Sequence, residues 1–275
     1  MTQNRPPAQA APPRPYGDLV GVHRVGEIAK VLPSLLIGAA VTALASGVAS
    51  LWRAGVVDDF LAGNGSVSAL DAADTVVSAV AIADLLVFLG TATVFLVWSW
   101  RLFKNAKVLA PDAAPASGWS IGAWIIPAVL PGYFLSRVDR VSGSVGRPAQ
   151  PLIVAWAVLY TAATWLSRVI WRGGDDSLES LVTADRRDIW AQLLYAAAAI
   201  VAALMVRAVT ARQERALADR SDRVQAAFAS REAAAEALST GDRAPTEPYV
   251  TQGVPPPLDE PPPPGDPGPG VRGSG

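Results

Sequence analysis

Four stretches of this chain are long, apolar and nearly free of charge: Ile28–Trp52, Val76–Trp100, Leu152–Ile170 and Ile189–Val206. About 20 apolar residues in a helix cross the hydrocarbon core of a bilayer. Backbone groups in lipid must bond within the protein, which limits a spanning chain to helices or a closed barrel. Unbroken apolarity at this length predicts helices. The expected fold is an all-α integral membrane protein. Composition agrees, since 51% of the chain is hydrophobic and 17% charged, against roughly 25% charged in soluble domains. Residues 1–27 hold five prolines and no apolar core. The first apolar run exceeds the roughly 7–15 residues of a signal-peptide core, so it reads as a retained membrane helix.

A fifth apolar segment, Trp119–Ser136, is of another kind. It carries Pro127 and Pro131, with Gly118, Gly122 and Gly132 nearby. Each proline removes a backbone donor and clashes with the preceding turn. Two arrangements follow: five spans, or four spans plus a proline-broken segment that re-enters or lies in the interface. Lysine and arginine concentrate on the cytoplasmic side of membrane proteins. Arg5, Arg14, Arg24 and Lys30 precede or open the first span, while the 53–75 segment carries Asp58, Asp59, Asp71 and Asp74. With a returning fifth segment, residues 101–150 and their six basic residues lie inside, the acidic 171–188 segment lies outside, and Arg207, Arg212, Arg215, Arg220 and Arg223 lie inside. This four-span arrangement fits the charge distribution better. It places both termini in the cytoplasm and the protein in the cell membrane. Trp52, Trp165, Trp171 and Trp190 then fall near the outer face, and Trp98, Trp100, Trp119 and Trp156 near the inner one, as aromatic belts do.

Beyond the last span, 207–240 is rich in Ala, Arg, Glu and Gln with no Pro, a helix-forming composition. Leu217, Val224, Phe228, Ala235 and Leu238 form a weak apolar stripe. It suits either a partner helix, from another protein or a second copy, or a plain solvated helix. From Gly241 to Gly275 there are 11 prolines. That composition cannot bury a core and predicts a disordered tail, which could also dock on a partner's aromatic groove.

Several functions are disfavoured. The net charge of −1 provides no basic field for nucleic acid. There is no cysteine, and His23 is the single histidine. No phosphate-binding glycine loop, nucleophile elbow or metal-ligand spacing is present. The expectation is a protein that is not an enzyme and has no cofactor, no metal and the lipid bilayer as its first partner.

Asp84 is the residue most suggestive of function. An ionisable group in mid-span costs roughly 2.5–3.5 kcal/mol on insertion scales and usually faces the bundle interior. It reads either as part of a proton, ion or substrate path, or as a structural carboxylate that is protonated or paired with Arg168. At the inner end of the second span, Arg101 can snorkel to lipid phosphates, and Asn105 can bond across to the cytoplasmic segment. Ala39, Ala43 and Gly47 have the spacing that lets helices approach closely, and Gly118 with Gly122 repeats it.

The succession Trp98-Ser-Trp-Arg101, Asn105-Ala106, Gly118-Trp119 and Ala123-Trp124-Ile-Ile-Pro127, followed by Arg207, Thr210 and Gln213, resembles domain of unknown function 4328, a family of actinobacterial membrane proteins, over roughly 75–215. Past Pro127 the chain departs from the family pattern. Ala128-Val-Leu-Pro131 is shortened, and Arg137-Val-Asp139-Arg140-Val-Ser142 lacks the family's tryptophan, so no role of that tryptophan carries over. The resemblance implies a membrane fold, draws attention to Arg101, Asn105, Trp119, Trp124 and Pro127, and adds no mechanism.

Two functional expectations result. One is a membrane component that recruits partners through its cytoplasmic helix or proline-rich ends. The other is a small transporter, channel or lipid-handling bundle with Asp84 facing a polar cavity.

Overall fold

The computed structural model describes residues 21–125, 128–143, 149–172 and 177–239. The proline-rich stretches before residue 21 and after residue 239, and Pro127 itself, lie outside these residues. Among the described residues the chain is helical and has no strand. The helices are α1 (Gly26–Leu61), α2 (Val67–Leu109), α3 (Trp119–Gly122), α4 (Val129–Val141), α5 (Gln150–Arg172) and α6 (Leu178–Ser239), with a short 3-10 turn at Ala123–Ile125. Four of them, α1, α2, α5 and α6, are long and apolar enough to cross a membrane. The protein is an all-α membrane protein. The described residues through Ala226 form one compact unit, and 227–239 belong to a second.

The helices run well past the apolar runs. At 1.5 Å per residue, the 36 residues of α1 extend about 54 Å, against a hydrocarbon thickness of roughly 30 Å. The 53–75 segment, expected as a loop, is helix except at residues 62–66. Two contacts explain this. Ala54 and Val57 of α1 are buried with Val182 of α6, with Leu70 and Leu181 packed against them. Arg53 and Asp58 of α1 also pair with Asp185 and Arg186 of α6. Apolar burial beyond the bilayer thus holds the helix ends together. The turn is sharp. Gly63 has φ +79°, and a Cβ on Gly65 would sit 2.7 Å from the Phe60 backbone. Ser66 then caps α2, its Oγ accepting from the Ala69 N–H at 3.2 Å.

The segment 119–136 turns back on itself. The rings of Trp119 and Phe134 stack at 4.7 Å between centroids, although a continuous helix would separate residues fifteen apart by about 22 Å. Arg137 donates to the Ala113 carbonyl at 3.5 Å, so the chain leaves where it entered. At the bend Ala128 has φ +59°, in the left-handed region that residues other than glycine avoid.

The main core gathers at one end of the bundle. Leu32, Leu36, Phe95, Trp98, Leu102, Phe103, Leu135, Val138, Ile153, Met205, Val206 and Val209 are buried together. At mid-height α1 and α6 meet through small residues, Ala40 and Ala43 against Ala196. A Cβ on Gly47 would come within 2.6 Å of Ile189 Cδ1 and 3.2 Å of Gln192 Cβ, so this contact favours glycine. Trp52, Trp165 and Trp190 are exposed, as a belt needs. Trp98 and Trp156, expected in the inner belt, are instead core residues at 0% and 4% exposure. Trp98 is drawn inward by a hydrogen bond from its Nε1 to Thr210 Oγ1 at 3.0 Å.

Candidate functional site: an intramembrane cavity and a polar clasp

Above the packed end, α1, α2, α5 and α6 line a partly open cavity of about 820 Å³, within the range of small-molecule sites. Its α1 wall carries Ser46, Ser50 and Arg53, and Thr42 lies one turn below. Positions 42, 46, 50 and 53 share one helix face, so α1 sets a polar stripe inside an apolar run. Its α6 wall carries Asp185, Asp188, Gln192 and Tyr195, again spaced to share a face.

The cavity is graded in polarity. At one end Arg53 forms a two-pronged pair with Asp185, Nε to Oδ2 at 2.8 Å and Nη2 to Oδ1 at 2.6 Å, the strong geometry for a guanidinium and carboxylate. Its Nη1 also reaches Asp74 at 3.3 Å. One turn deeper, Asp188 accepts from Ser50 Oγ at 3.2 Å and from Gln192 Nε2 at 3.2 Å. Deeper again, Asp84 accepts from Thr42 Oγ1 at 2.5 Å. The Ala39 carbonyl lies 3.1 Å from the same hydroxyl, so it competes for that single proton. The opposite end is aromatic. Phe95, Trp124 and Trp156 line it, with ring centroids 5.7–6.1 Å apart. On the α1 wall the hydroxyl of Ser46 is buried without a hydrogen-bond partner among the described residues.

A second polar constellation lies at the packed end. Asn105 is 1% exposed. Its Oδ1 accepts from the His23 N–H at 2.8 Å, and its Nδ2 donates to the His23 carbonyl at 2.9 Å. The side-chain amide therefore pairs with the backbone ahead of α1 as a second strand would. Nδ2 also approaches Gln213 Oε1 at 3.3 Å, and Gln213 Nε2 donates to the Leu102 carbonyl at 2.9 Å. The His23 ring packs on Trp100 at 5.2 Å, and Lys104 Nζ lies 5.5 Å from the same indole centroid. Nearby, Asp139 of α4 pairs with Arg212 of α6 at 3.1 Å, both buried, and accepts from the Ala149 N–H. Burial raises the pKa of Asp139, and the Arg212 charge and the Ala149 N–H oppose that shift.

The residues singled out in the sequence land in three places. Asp84 and Trp124 both line the cavity. Arg168 does not join Asp84. It lies exposed on α5, and among the described residues the partner of Asp84 is Thr42. Thr42 on α1 is the residue that faces Asp84. Asn105 belongs to the clasp, and Arg101 donates to the Arg24 carbonyl at 2.7 Å, fastening the same segment instead of serving only as a lipid anchor. Trp119 braces the returning segment through Phe134. Thr42, Arg53, Asp185, Asp188 and Gln192 were not singled out. Their signal was present as polar residues recurring at helical spacing on α1 and α6.

A family model described as domain of unknown function (DUF4328) matches residues 63–211. No curated protein and no solved structure matches the chain significantly.

Proposed function

The chain belongs to the DUF4328 family, whose description assigns no chemistry, and from that premise we propose that the protein binds a small amphiphilic ligand in its intramembrane cavity, without catalysing a reaction on it. The observation that carries this reading is that Asp84 faces a cavity of about 820 Å³ that is polar toward Arg53 and aromatic toward Trp124. A bundle needed only as an anchor gains nothing from a hollow with Asp84 in mid-span, since a carboxylate there costs free energy. A site that takes an amphiphile uses both ends. The charge distribution supports an orientation with the Arg53 end outside and both termini in the cytoplasm. Reporter fusions at Arg147 and at the C-terminus should both report inside, and an external signal at either would refute that orientation.

The binding test uses the full chain in nanodiscs with a tritiated single-chain amphiphile, dodecylphosphocholine, and empty nanodiscs as background. Ala81 lines the cavity and is exposed, so Ala81→Trp fills the hollow without opening the core. Saturable binding should fall at least about tenfold in this variant. Equal binding by both proteins would sink the reading.

Partner recruitment is a second reading, supported by Phe228 at 57% exposure on the distal part of α6. Of the predicted stripe, Leu217 is buried, so the apolar face open to a partner is shorter than the sequence suggests. Crosslinking from position 228 should capture a specific chain, and the same captures after Phe228→Glu would remove this reading.

A further inference from the structure

The charges around the cavity do not balance. Asp84, Asp185 and Asp188 line it together with Arg53. Arg53 is engaged by both oxygens of Asp185. Asp188 hydrogen-bonds only to neutral groups among the described residues, Ser50 and Gln192, while the opposite charges of Arg53 and Asp185 both reach it, and Asp84 has a shared hydroxyl. Three carboxylates and one guanidinium leave a formal charge of −2 when all are ionised. Asp84 is the one in mid-span, where a carboxylate without a cationic partner calls for a cation, either a proton or a ligand.

Position separates the two spare carboxylates. Their α1 partners, Ser50 and Thr42, are eight residues apart, or about 12 Å along the helix. One small inorganic ion cannot touch both. Among the described residues no group of three acidic or histidine side chains could hold a metal ion. Asp84 is the carboxylate adjoining the apolar half. From Asp84 to Phe95 on α2 is eleven residues, about 16 Å, and Leu85, Phe88 and Leu96 line that stretch toward Trp124 and Trp156.

We propose that the ligand is a cationic amphiphile, an alkylammonium whose charged nitrogen sits on Asp84 and Thr42 and whose chain extends to the Phe95–Trp124–Trp156 end. This deepens the cavity reading and rests on it. The ammonium supplies the missing charge at the deeper spare carboxylate. It also donates to a group that Thr42 satisfies only in part. The aromatic walls then cover the chain, and Asp188 biases entry toward cations from the Arg53 end.

The test compares head groups on one chain. Tritiated dodecylamine, dodecanol and dodecanoate are bound to the full protein in nanodiscs at neutral pH, with empty nanodiscs subtracted. Dodecylamine should bind at least about tenfold more tightly than dodecanol, and dodecanoate most weakly. Asp84→Asn should abolish the preference for the amine over dodecanol, and Asp84→Glu should restore most of it. Thermal unfolding of each variant confirms that it is folded, and the order of head groups in the wild-type protein tests the proposal even where a variant does not fold. Equal binding of all three probes, with no effect of Asp84→Asn, would overturn the cation assignment while leaving the cavity reading intact. Displacement of dodecylamine by millimolar sodium, without displacement of dodecanol, would overturn it in favour of an inorganic ion. No saturable binding of any probe, by wild type or Ala81→Trp, would remove the cavity reading itself.

Discussion

At the scale of single residues, Asn105 does the most for the packed end. One buried amide satisfies both backbone groups of His23 and reaches Gln213. Asn105→Ala leaves those groups buried without partners, which costs about 2–3 kcal/mol. Thermal unfolding in nanodiscs should show the loss, and Asn105→Asp should recover little of it because a carboxylate cannot donate to the His23 carbonyl. Arg212 and Asp139 make a second test. Removing one member of a buried pair costs about 3–5 kcal/mol, so Arg212→Ala should be among the most destabilising changes in the molecule. Its pH dependence has a defined sign. Burial already lifts Asp139 above its usual 3.8, so the folded state holds that proton more tightly than the unfolded chain. Stability from this group is greatest in acid and falls as pH rises through the raised folded pKa. Without Arg212 the pKa rises further, and the variant should regain stability relative to wild type as pH is lowered from neutral toward 4. A constant deficit across that range would count against the pairing. Asp84 was legible in the sequence as the lone charge of an apolar run. Its partner was not, because Thr42 lies 42 residues away and one sequence does not disclose how two helices register.

At the scale of elements, the returning segment and the α1–α6 contact depend on glycine for spatial reasons. A Cβ on Gly132 would meet Ala157 Cβ at 3.0 Å. Gly132→Ala already requires α4 and α5 to give by a few tenths of an ångström, and Gly132→Leu must part them further and lose about 1–3 kcal/mol. Gly47→Val should behave like Gly132→Leu, since Ile189 and Gln192 occupy its space. Measured unfolding temperatures within a degree of wild type for both large substitutions would refute the close packing. The broken nature of 119–136 was legible from its prolines and glycines, although Pro131 itself sits in the first turn of α4, where its missing N–H is tolerated. The number of long apolar helices was also legible. Their overshoot beyond the bilayer was not. It depends on Val57 finding Val182 and Arg53 finding Asp185, contacts between distant parts of the chain. The inner tryptophan belt misled for a related reason. Trp98 has the composition of an anchor, and only the position of Thr210 turns it inward.

At the scale of the whole bundle, tight packing and hollow space are segregated. The large buried side chains collect around Trp98, Leu102 and Met205, while the cavity occupies the region of Asp84 and Asp188. Local opening is cheapest where few apolar contacts must break. Amide exchange in nanodiscs should be slow along 98–106 and faster along 78–90, and ligand should slow the latter. Uniform protection over both segments would contradict this division.

The polar stripe of α1 has one more consequence. The family match begins at residue 63, just past the end of α1. Thr42, Ser50 and Arg53 therefore lie on a helix outside the matched region, while Asp84, Asp185 and Asp188 lie inside it. The carboxylates thus lie within the matched region and their α1 partners outside it. Exchanging Thr42, Ser46 and Ser50 on that stripe, with Leu32, Leu36 and Gly47 kept, would alter which head groups are accepted and leave the bundle standing, as a lock is rekeyed by changing its pins.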